Sequence, residues 1–340
     1  MIKNIEDLKK EIQLNNEEEA WSINNPRLPI LISDHYFALI DKDDINDPIR
    51  KQVVPSCLEG STDDLKDPLN EVTNSVFNKL IHRYNNRAAL LVTDKCFTYC
   101  RHCFRSRFTA KENGFLSEDE LEKALTYLKE NKYIKELLLT GGDLFTLRDD
   151  QIDYLLSRLK DAREDLILRL CTRAIVTEPA RFTDNLLNII KKHQKGAPFF
   201  LLTQYNHARE LTEESIAALR KFSALGIAMF NQSVLLKGVN DNVDTLEELC
   251  NKLLYNNVKP YYLFQGDLVQ GTKHLRVDIK DGLAIEKELR NRLSGLAMPQ
   301  YTIDLPHGGG KVILTHNYLE GECDGIYKFS TYDKGDREYS

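Results

Sequence analysis

Cys96, Cys100 and Cys103 stand four and three residues apart on one short stretch, Cys96-Phe97-Thr98-Tyr99-Cys100-Arg101-His102-Cys103. Thiolates this close together can hold a soft metal centre. Three are one too few for a closed four-cysteine zinc or iron–sulfur site. A 4Fe–4S cluster bound here would leave one iron without a protein ligand and open to something else. Three unrelated buried cysteines, or part of a zinc site, would show the same spacing. Far along the chain, Gly308-Gly309-Gly310-Lys311 puts a lysine on a glycine strap. Lysine is the residue that forms Schiff bases with an aldehyde cofactor, although alone the string reads equally as a turn ending in a solvated amine. Gly141-Gly142-Asp143 allows close approach of backbone to a ligand, and by itself is more often a plain turn.

These groups need a frame, and the chain alternates regularly from Arg87 onward. Apolar runs at Arg87–Thr93, 135–140, 166–171, 199–203, 227–231, 259–264 and 301–304 read as strands. Between them lie helical segments, the first opened by the capping box Ser117-Glu118-Asp119-Glu120. The last helical segment is expected over 280–296. Strands alternating with helices imply a parallel sheet with crossover helices. About six strand–helix units are present, short of eight, so the expected fold is α/β, a partial (β/α)6 TIM-type barrel. Working residues of such a fold lie just after strand C-termini. Cys96, Gly141-Gly142-Asp143, Arg173, Gln204, Asn231-Gln232 and Asp267 all fall there, with Lys311 beyond the last strand.

The 340 residues are enough for one large unit. Net charge is −6, so no nucleic-acid footprint is expected. No apolar run is long enough to span a bilayer, and the charged amphipathic start lacks the apolar core of a signal peptide. Four further cysteines (Cys57, Cys171, Cys250, Cys323) are scattered, unlike a secreted disulfide framework. A reducing cytoplasm is the expected setting. The expected division is a helical N-terminal region at 1–80, the barrel at 81–318 and a short tail at 319–340. A short helix is expected toward Leu80.

The cysteine string resembles the cluster loop of the radical S-adenosylmethionine (SAM) enzymes. The fuller string Cys100-Arg101-His102-Cys103-Phe104-Arg105 resembles the lysine 2,3-aminomutase branch. The likeness covers about residues 80–318. It implies a six-unit partial barrel and a 4Fe–4S cluster on Cys96, Cys100 and Cys103, with SAM chelating the open iron. It also implies pyridoxal phosphate on Lys311, which lies seven residues after Asp304, as in the family. Arg83 and Arg87 match arginines that contact the cofactor phosphate, a task suited to the planar guanidinium fork. Gly141, Gly142 and Asp143 match the motif that meets the SAM amino group. His102, Arg173, Arg181, Asn231 and Gln232 match positions around the two cofactors. For the arginines a structural ion pair is the plain alternative, and for Asn231 a buried amide satisfying backbone. Arg105 matches the residue that holds the substrate carboxylate. Asp267 and Asp304 match the pair that receives the distal ammonium of lysine, an anionic site that would reject a carboxylate-ended substrate.

Several positions depart from the family. Gln204 stands where a histidine is expected, Gly266 where a small cysteine is, and His307 where a glycine is. The tail lacks the family's C-terminal cysteine group for zinc. The expected activity is that of an isomerase moving the α-amino group of a cationic amino acid to Cβ, L-lysine to β-lysine foremost. Arginine or another cationic substrate, and the elongation-factor-modifying aminomutase that forms (R)-β-lysine, are alternatives. A non-catalytic iron–sulfur protein is the alternative from another class. The expected partners are a small-molecule amino acid, an electron donor such as flavodoxin or ferredoxin, and further copies of the chain in a homo-oligomer.

Overall fold

The computed structural model of the protein describes residues 1–21, 27–61, 63–111, 114–331 and 336–339. Three short helices open it: α1 (Ile5–Glu11), α2 (Asn16–Glu19) and α3 (Asp34–Phe37). Strands β1 (Ser75–Phe77) and β2 (Leu80–Tyr84) follow. The barrel units are β3 (Arg87–Thr93), α4 (Glu118–Glu130), β4 (Glu136–Gly141), α5 (Asp149–Ala162), β5 (Ile167–Cys171), α6 (Ala174–Thr177), α7 (Asp184–Lys192), β6 (Phe199–Thr203), α8 (Glu213–Ala224), β7 (Ala228–Val234), α9 (Val243–Tyr255), β8 (Val258–Phe264), α10 (Ile279–Arg292) and β9 (Gln300–Leu305). The chain ends with β10 (Gly310–Ile313), β11 (Leu319–Cys323), β12 (Ile326–Ser330) and β13 (Asp336–Tyr339).

Strands β3 to β9 pair in parallel and in chain order. The antiparallel ribbon β1–β2 extends one edge and β10 the other, giving a ten-stranded sheet whose ends do not meet among the described residues. The barrel is therefore open. Its strands are apolar because both faces are covered: the interior faces the site and the exterior faces helices. Each helix buries one stripe. On α4 the buried residues are Leu121, Ala124, Leu125 and Leu128, at helical spacing. Its start is the expected capping box, with Ser117 and Glu120 bonded reciprocally to each other's backbone. Helix α10 stops at Arg292, earlier than expected, where Leu293 turns to extended backbone.

The first 80 residues differ from the expectation of a mostly helical region. Prolines such as Pro29, Pro48 and Pro55 keep its helices to a turn or two, and the short helix expected toward Leu80 is the β1–β2 ribbon instead. Leu8, Ile32, Tyr36 and Ile49 are fully buried and belong to the same core as Leu90, Leu139 and Leu170 on the strands. Residues 319–339 carry a small antiparallel sheet, β11–β12–β13, largely exposed. Among the described residues no helix is long and apolar enough to cross a membrane.

Candidate active site

The C-terminal ends of the parallel strands surround a cavity of about 390 Å³ that runs down into the barrel. Cys96, Cys100, His102, Cys103 and Arg105 line it from the loop after β3, and Gly141, Gly142 and Asp143 from the end of β4. Arg173, Gln204, Gln232, Asp267 and Asp304 come from the ends of β5 to β9. Arg83 and Arg87 line it from β2 and β3, and Lys311 from β10. The cysteine loop and the glycine-strap lysine thus share one cavity. Of the residues singled out in the sequence, Arg181 and Asn231 are not brought to it. Arg181 donates to the carbonyls of Phe145 and Leu147 at 2.8 Å each and pairs with Asp149 at 2.7 Å, tying the β4 loop to the start of α5. Asn231 is buried, accepting from Tyr205 N at 2.7 Å and donating to Tyr205 O at 3.0 Å.

The cysteine loop is clamped from outside. Arg101 is fully buried, its Nε 2.7 Å from Glu59 and its Nη1 3.0 Å from the Pro29 carbonyl. Arg27 donates to the Cys103 carbonyl at 3.1 Å. The backbone N–H groups of Tyr99 and Arg101 donate to the carbonyls of Leu31 and Gln52, both at 2.8 Å. The N-terminal region therefore holds the loop in shape. On the other side, Gly141 has φ +114°, and a Cβ there would lie 2.5 Å from the Thr93 carbonyl oxygen. At Gly142 it would lie 2.2 Å from that of Lys95. The glycine pair lets β4 end against the very backbone that leads into Cys96. Asp143 is buried, and accepts from the N–H groups of Phe145, Arg173 and Ala174 at 2.7–3.0 Å. Its side chain is thereby committed to joining the ends of β4 and β5.

Arg173 is buried beside Cys100, its Nη1 2.6 Å from Sγ, while Nη2 reaches Glu210 and Gln52 at 2.7 Å and the Tyr36 hydroxyl at 2.9 Å. His102 Nε2 lies 3.2 Å from the Gln204 amide, and its Nδ1 is buried with no hydrogen-bond partner among the described residues. Burial, with Arg173 and Arg27 nearby, pushes this imidazole well below its usual pKa.

Lys311 donates to Asp304 Oδ2 at 2.5 Å. The two residues face each other across the β9–β10 ladder, so their seven-residue separation is a hairpin register. Lys311 Nζ also lies 5.4 and 5.7 Å from the ring centroids of Phe264 and Tyr84. Arg83 pairs with the other oxygen of Asp304, yet its Nε is buried without a partner among the described residues. Arg87 lies over the Tyr84 ring at 3.8 Å. Asp267 is pushed up to about 7 by burial and by Asp304, with Lys311 opposing.

The raised Asp267 value fixes the sign of a pH effect. Between the ordinary carboxyl range and about 7 the folded chain binds the proton more tightly than the unfolded one, so stability falls as pH rises through that window. The cost of the ionised form is on the order of 2–4 kcal/mol, allowing for the open cavity side. Asp267→Asn is therefore expected to raise Tm at pH 8, leave it unchanged at pH 4, and lose affinity for a cationic ligand. Thermal melts at the two pH values, with ligand titrations beside them, check this.

A Radical SAM superfamily model matches residues 90–250 and a Lysine-2,3-aminomutase model matches 285–325. The L-lysine 2,3-aminomutase of Clostridium subterminale is 40% identical over 323 residues, covering 94% of this chain and 76% of that protein. That of Bacillus subtilis (strain 168) is 38% identical over 321 residues, covering 94% and 68%. The glutamate 2,3-aminomutase of Clostridioides difficile (strain 630) is 38% identical over 335 residues, covering 98% and 78%. The chain belongs to the lysine 2,3-aminomutase family. It is a radical SAM enzyme and an isomerase.

The cavity of this aminomutase-family chain fits the iron–sulfur group that the superfamily implies. Among the described residues no three His, Cys, Asp or Glu side chains converge as a single metal ion would require. Arg173 donates to the Cys100 thiol and Arg27 to the Cys103 carbonyl, so two guanidinium groups stand beside the loop, while burial pushes the Cys96 and Cys103 thiols up. The buried, unpartnered His102 Nδ1 beside the loop is a donor position that the protein itself leaves unused.

The sequence does not flag a carboxylate that bears on this cavity. Glu71 lines the cavity and holds Arg105 along one edge, with Arg105 Nη2 at 2.6 Å and Nε at 3.1 Å, while Arg105 Nη1 donates to Thr140 at 3.0 Å. Arg107 steadies Glu71 at 3.0 Å. The guanidinium is thus fixed along one side and can present its remaining N–H groups to a carboxylate. Nothing local flags Glu71, because its partner lies 34 residues later. Glu71→Gln is expected to raise KM for the amino acid roughly tenfold with a smaller loss in kcat, as a loosened positioning group should. Steady-state kinetics separate the two effects.

Proposed function

We propose that this chain is a pyridoxal phosphate-dependent aminomutase that moves the α-amino group of a cationic amino acid to Cβ, converting L-lysine to β-lysine. The observation that carries the reading is the placement of Lys311 in one cavity with the three-cysteine loop, across the ladder from a carboxylate and between aromatic rings. The residues fit the cofactor: Arg83 keeps an unpartnered buried N–H, and Arg87 stands beside it on the Tyr84 ring. When bound, the cluster with SAM supplies a hydrogen-abstracting radical, and pyridoxal phosphate supplies a π system through which nitrogen can migrate.

The chain's own part is placement. Lys311 offers the amine that tethers the aldehyde cofactor, and Asp304 fixes where that amine stands. Arg83 and Arg87 hold the phosphate. Arg105, set by Glu71, takes the substrate carboxylate. Asp267 and Asp304 take the distal cation, which adds to the opposing charge of Lys311 and Arg276 on the raised Asp267. The barrel walls keep water from the reacting carbons.

Overall identity does not choose the substrate, because the glutamate and lysine enzymes match the chain about equally. The side chains support a cationic substrate, since a second carboxylate would meet Asp267 and Asp304 with like charge. The same reading carries a one-electron donor of flavodoxin or ferredoxin type, a homo-oligomeric state and a cytoplasmic setting. Borohydride trapping of the pyridoxal phosphate-loaded protein followed by peptide mapping tests the cofactor, with label expected at Lys311. An anaerobic assay of the reconstituted enzyme against lysine, arginine, ornithine and glutamate tests the substrate. Label elsewhere, or preference for glutamate, overturns the reading.

A further inference from the structure

Arg173, just past the end of β5, divides its guanidinium between two tasks. Its Nη2 is anchored by Glu210 and the Gln52 side-chain oxygen at 2.7 Å each and by the Tyr36 hydroxyl at 2.9 Å. Its Nε donates to the Gln204 carbonyl at 3.3 Å. Nη1 is left for the Cys100 sulfur, at 2.6 Å. An ion pair with Glu210 accounts for one nitrogen of the fork. It does not account for another being aimed at a thiol of the three-cysteine loop.

Gln52 holds both ends of that contact. It stands in the N-terminal region and is fully buried. Its backbone carbonyl accepts from the N–H of Arg101, the residue next to Cys100, at 2.8 Å. Its side-chain oxygen accepts from Arg173 and, at 3.0 Å, from Asn206 Nδ2, while its amide nitrogen donates to the Pro48 carbonyl at 3.2 Å. One side chain and its own backbone thus set the spacing between guanidinium and sulfur. Gln52 is uncharged, so it acts on the site through position. Tyr36 works from the same side: its hydroxyl donates to Glu210 at 2.6 Å, and its ring lies 5.1 Å from the Arg173 guanidinium carbon.

We propose that Arg173 donates a hydrogen bond to a cluster-ligating sulfur and so raises the cluster's reduction potential, with Gln52 and Tyr36 as the positioning residues that keep it there. A cluster that has taken up one electron carries one more negative charge than before. An N–H aimed at a ligand sulfur, with a cationic group behind it, stabilises that more negative form. Glu210 offsets much of the charge of Arg173 at longer range, so the aimed N–H is what a loosened guanidinium would lose. The N-terminal region thereby has a part in the chemistry, since it sets how readily the cluster accepts its electron. The inference rests on the reading of Cys96, Cys100 and Cys103 as cluster ligands.

The experiment is a potentiometric titration followed by electron paramagnetic resonance on the anaerobically reconstituted full chain. It is run without SAM, so that no contact between Arg173 and SAM contributes. Arg173→Met and Gln52→Leu should each lower the equilibrium constant for cluster reduction about tenfold, a potential about 59 mV lower for one electron. Arg173→Lys, which keeps the charge and a donor but not the fork, should fall by less. Tyr36→Phe, which spares the other anchors of Nη2, should also fall by less, and it decides the positioning role if Gln52→Leu does not accumulate. Leu8→Ala opens a cavity in the core that the N-terminal region shares with the strands, and should lower Tm without moving the potential. A potential belongs to each loaded molecule, so loss of folded protein does not alter it. An unchanged potential in both Arg173→Met and Gln52→Leu overturns this inference alone, as does an equal fall in Leu8→Ala. A fall in Arg173→Met with Gln52→Leu and Tyr36→Phe at the wild-type potential overturns the positioning role. A wild type that takes up no 4Fe–4S cluster overturns the cluster reading and this inference with it.

Discussion

Replacing Lys311 with alanine is expected to lower β-amino acid formation by roughly 10³-fold or more while leaving the fold and the iron content intact. The size follows from what the amine does. A tethered amine reacts with an aldehyde as an intramolecular partner, and effective molarities for well-placed groups are large, roughly 10⁵ M and above. The stability cost should be small, since the side chain is 28% exposed and it pairs with Asp304, which keeps Arg83. The β9–β10 ladder is held by backbone bonds and does not need the lysine head. The loss should therefore appear as inability to retain pyridoxal phosphate after borohydride treatment, with circular dichroism and iron content unchanged. Lys311→Arg keeps a cation opposite Asp304 but cannot form the imine. It separates the charge from the nucleophile, and should be as inactive as the alanine variant. Retention of half the wild-type rate by either variant would remove Lys311 from the proposed chemistry.

The barrel was legible because its signals are local. Alternating apolar runs and capping residues such as Ser117 and Glu120 act within a few positions of themselves, and the structure places them where the periods do. The N-terminal region was not legible, because it has no period to read. Its buried residues follow no regular spacing, and its structure is imposed by distant partners, as when Glu59 meets Arg101 or Leu31 meets Tyr99. The site divides along the same line. Strand alternation alone could have separated Asn231 from Gln232, since neighbours on a strand face opposite ways; the cavity takes Gln232 and the wall takes Asn231. The seven-residue interval from Asp304 to Lys311 was visible as a number, and its cause, a two-stranded register, only as geometry. Glu71 carried no signal, because a carboxylate in a polar link resembles any solvated charge until Arg105 is folded against it.

Single replacement of Cys96, Cys100 or Cys103 by alanine is expected to abolish SAM cleavage, roughly 10²-fold at least, and to leave purified, reconstituted protein with little bound iron. With only three thiolates offered, removing one leaves two, and the cube loses a corner that no nearby group replaces. Cys171 lines the same cavity, but it stands at the end of β5, outside the loop that carries the three cysteines. Cys57 and Cys323 are exposed and free, so Cys57→Ala and Cys323→Ala should behave as wild type and serve as controls. The loop itself should survive each cysteine variant, because Arg101 with Glu59 and the backbone bonds to Leu31 and Gln52 hold it independently of the sulfurs. Iron and sulfide analysis together with methionine release distinguish the cases. A Cys100→Ala protein that keeps a full cluster and still cleaves SAM would mean that Arg173 has been directed at a thiol with no part in ligation, and the three-cysteine site would have to be redrawn.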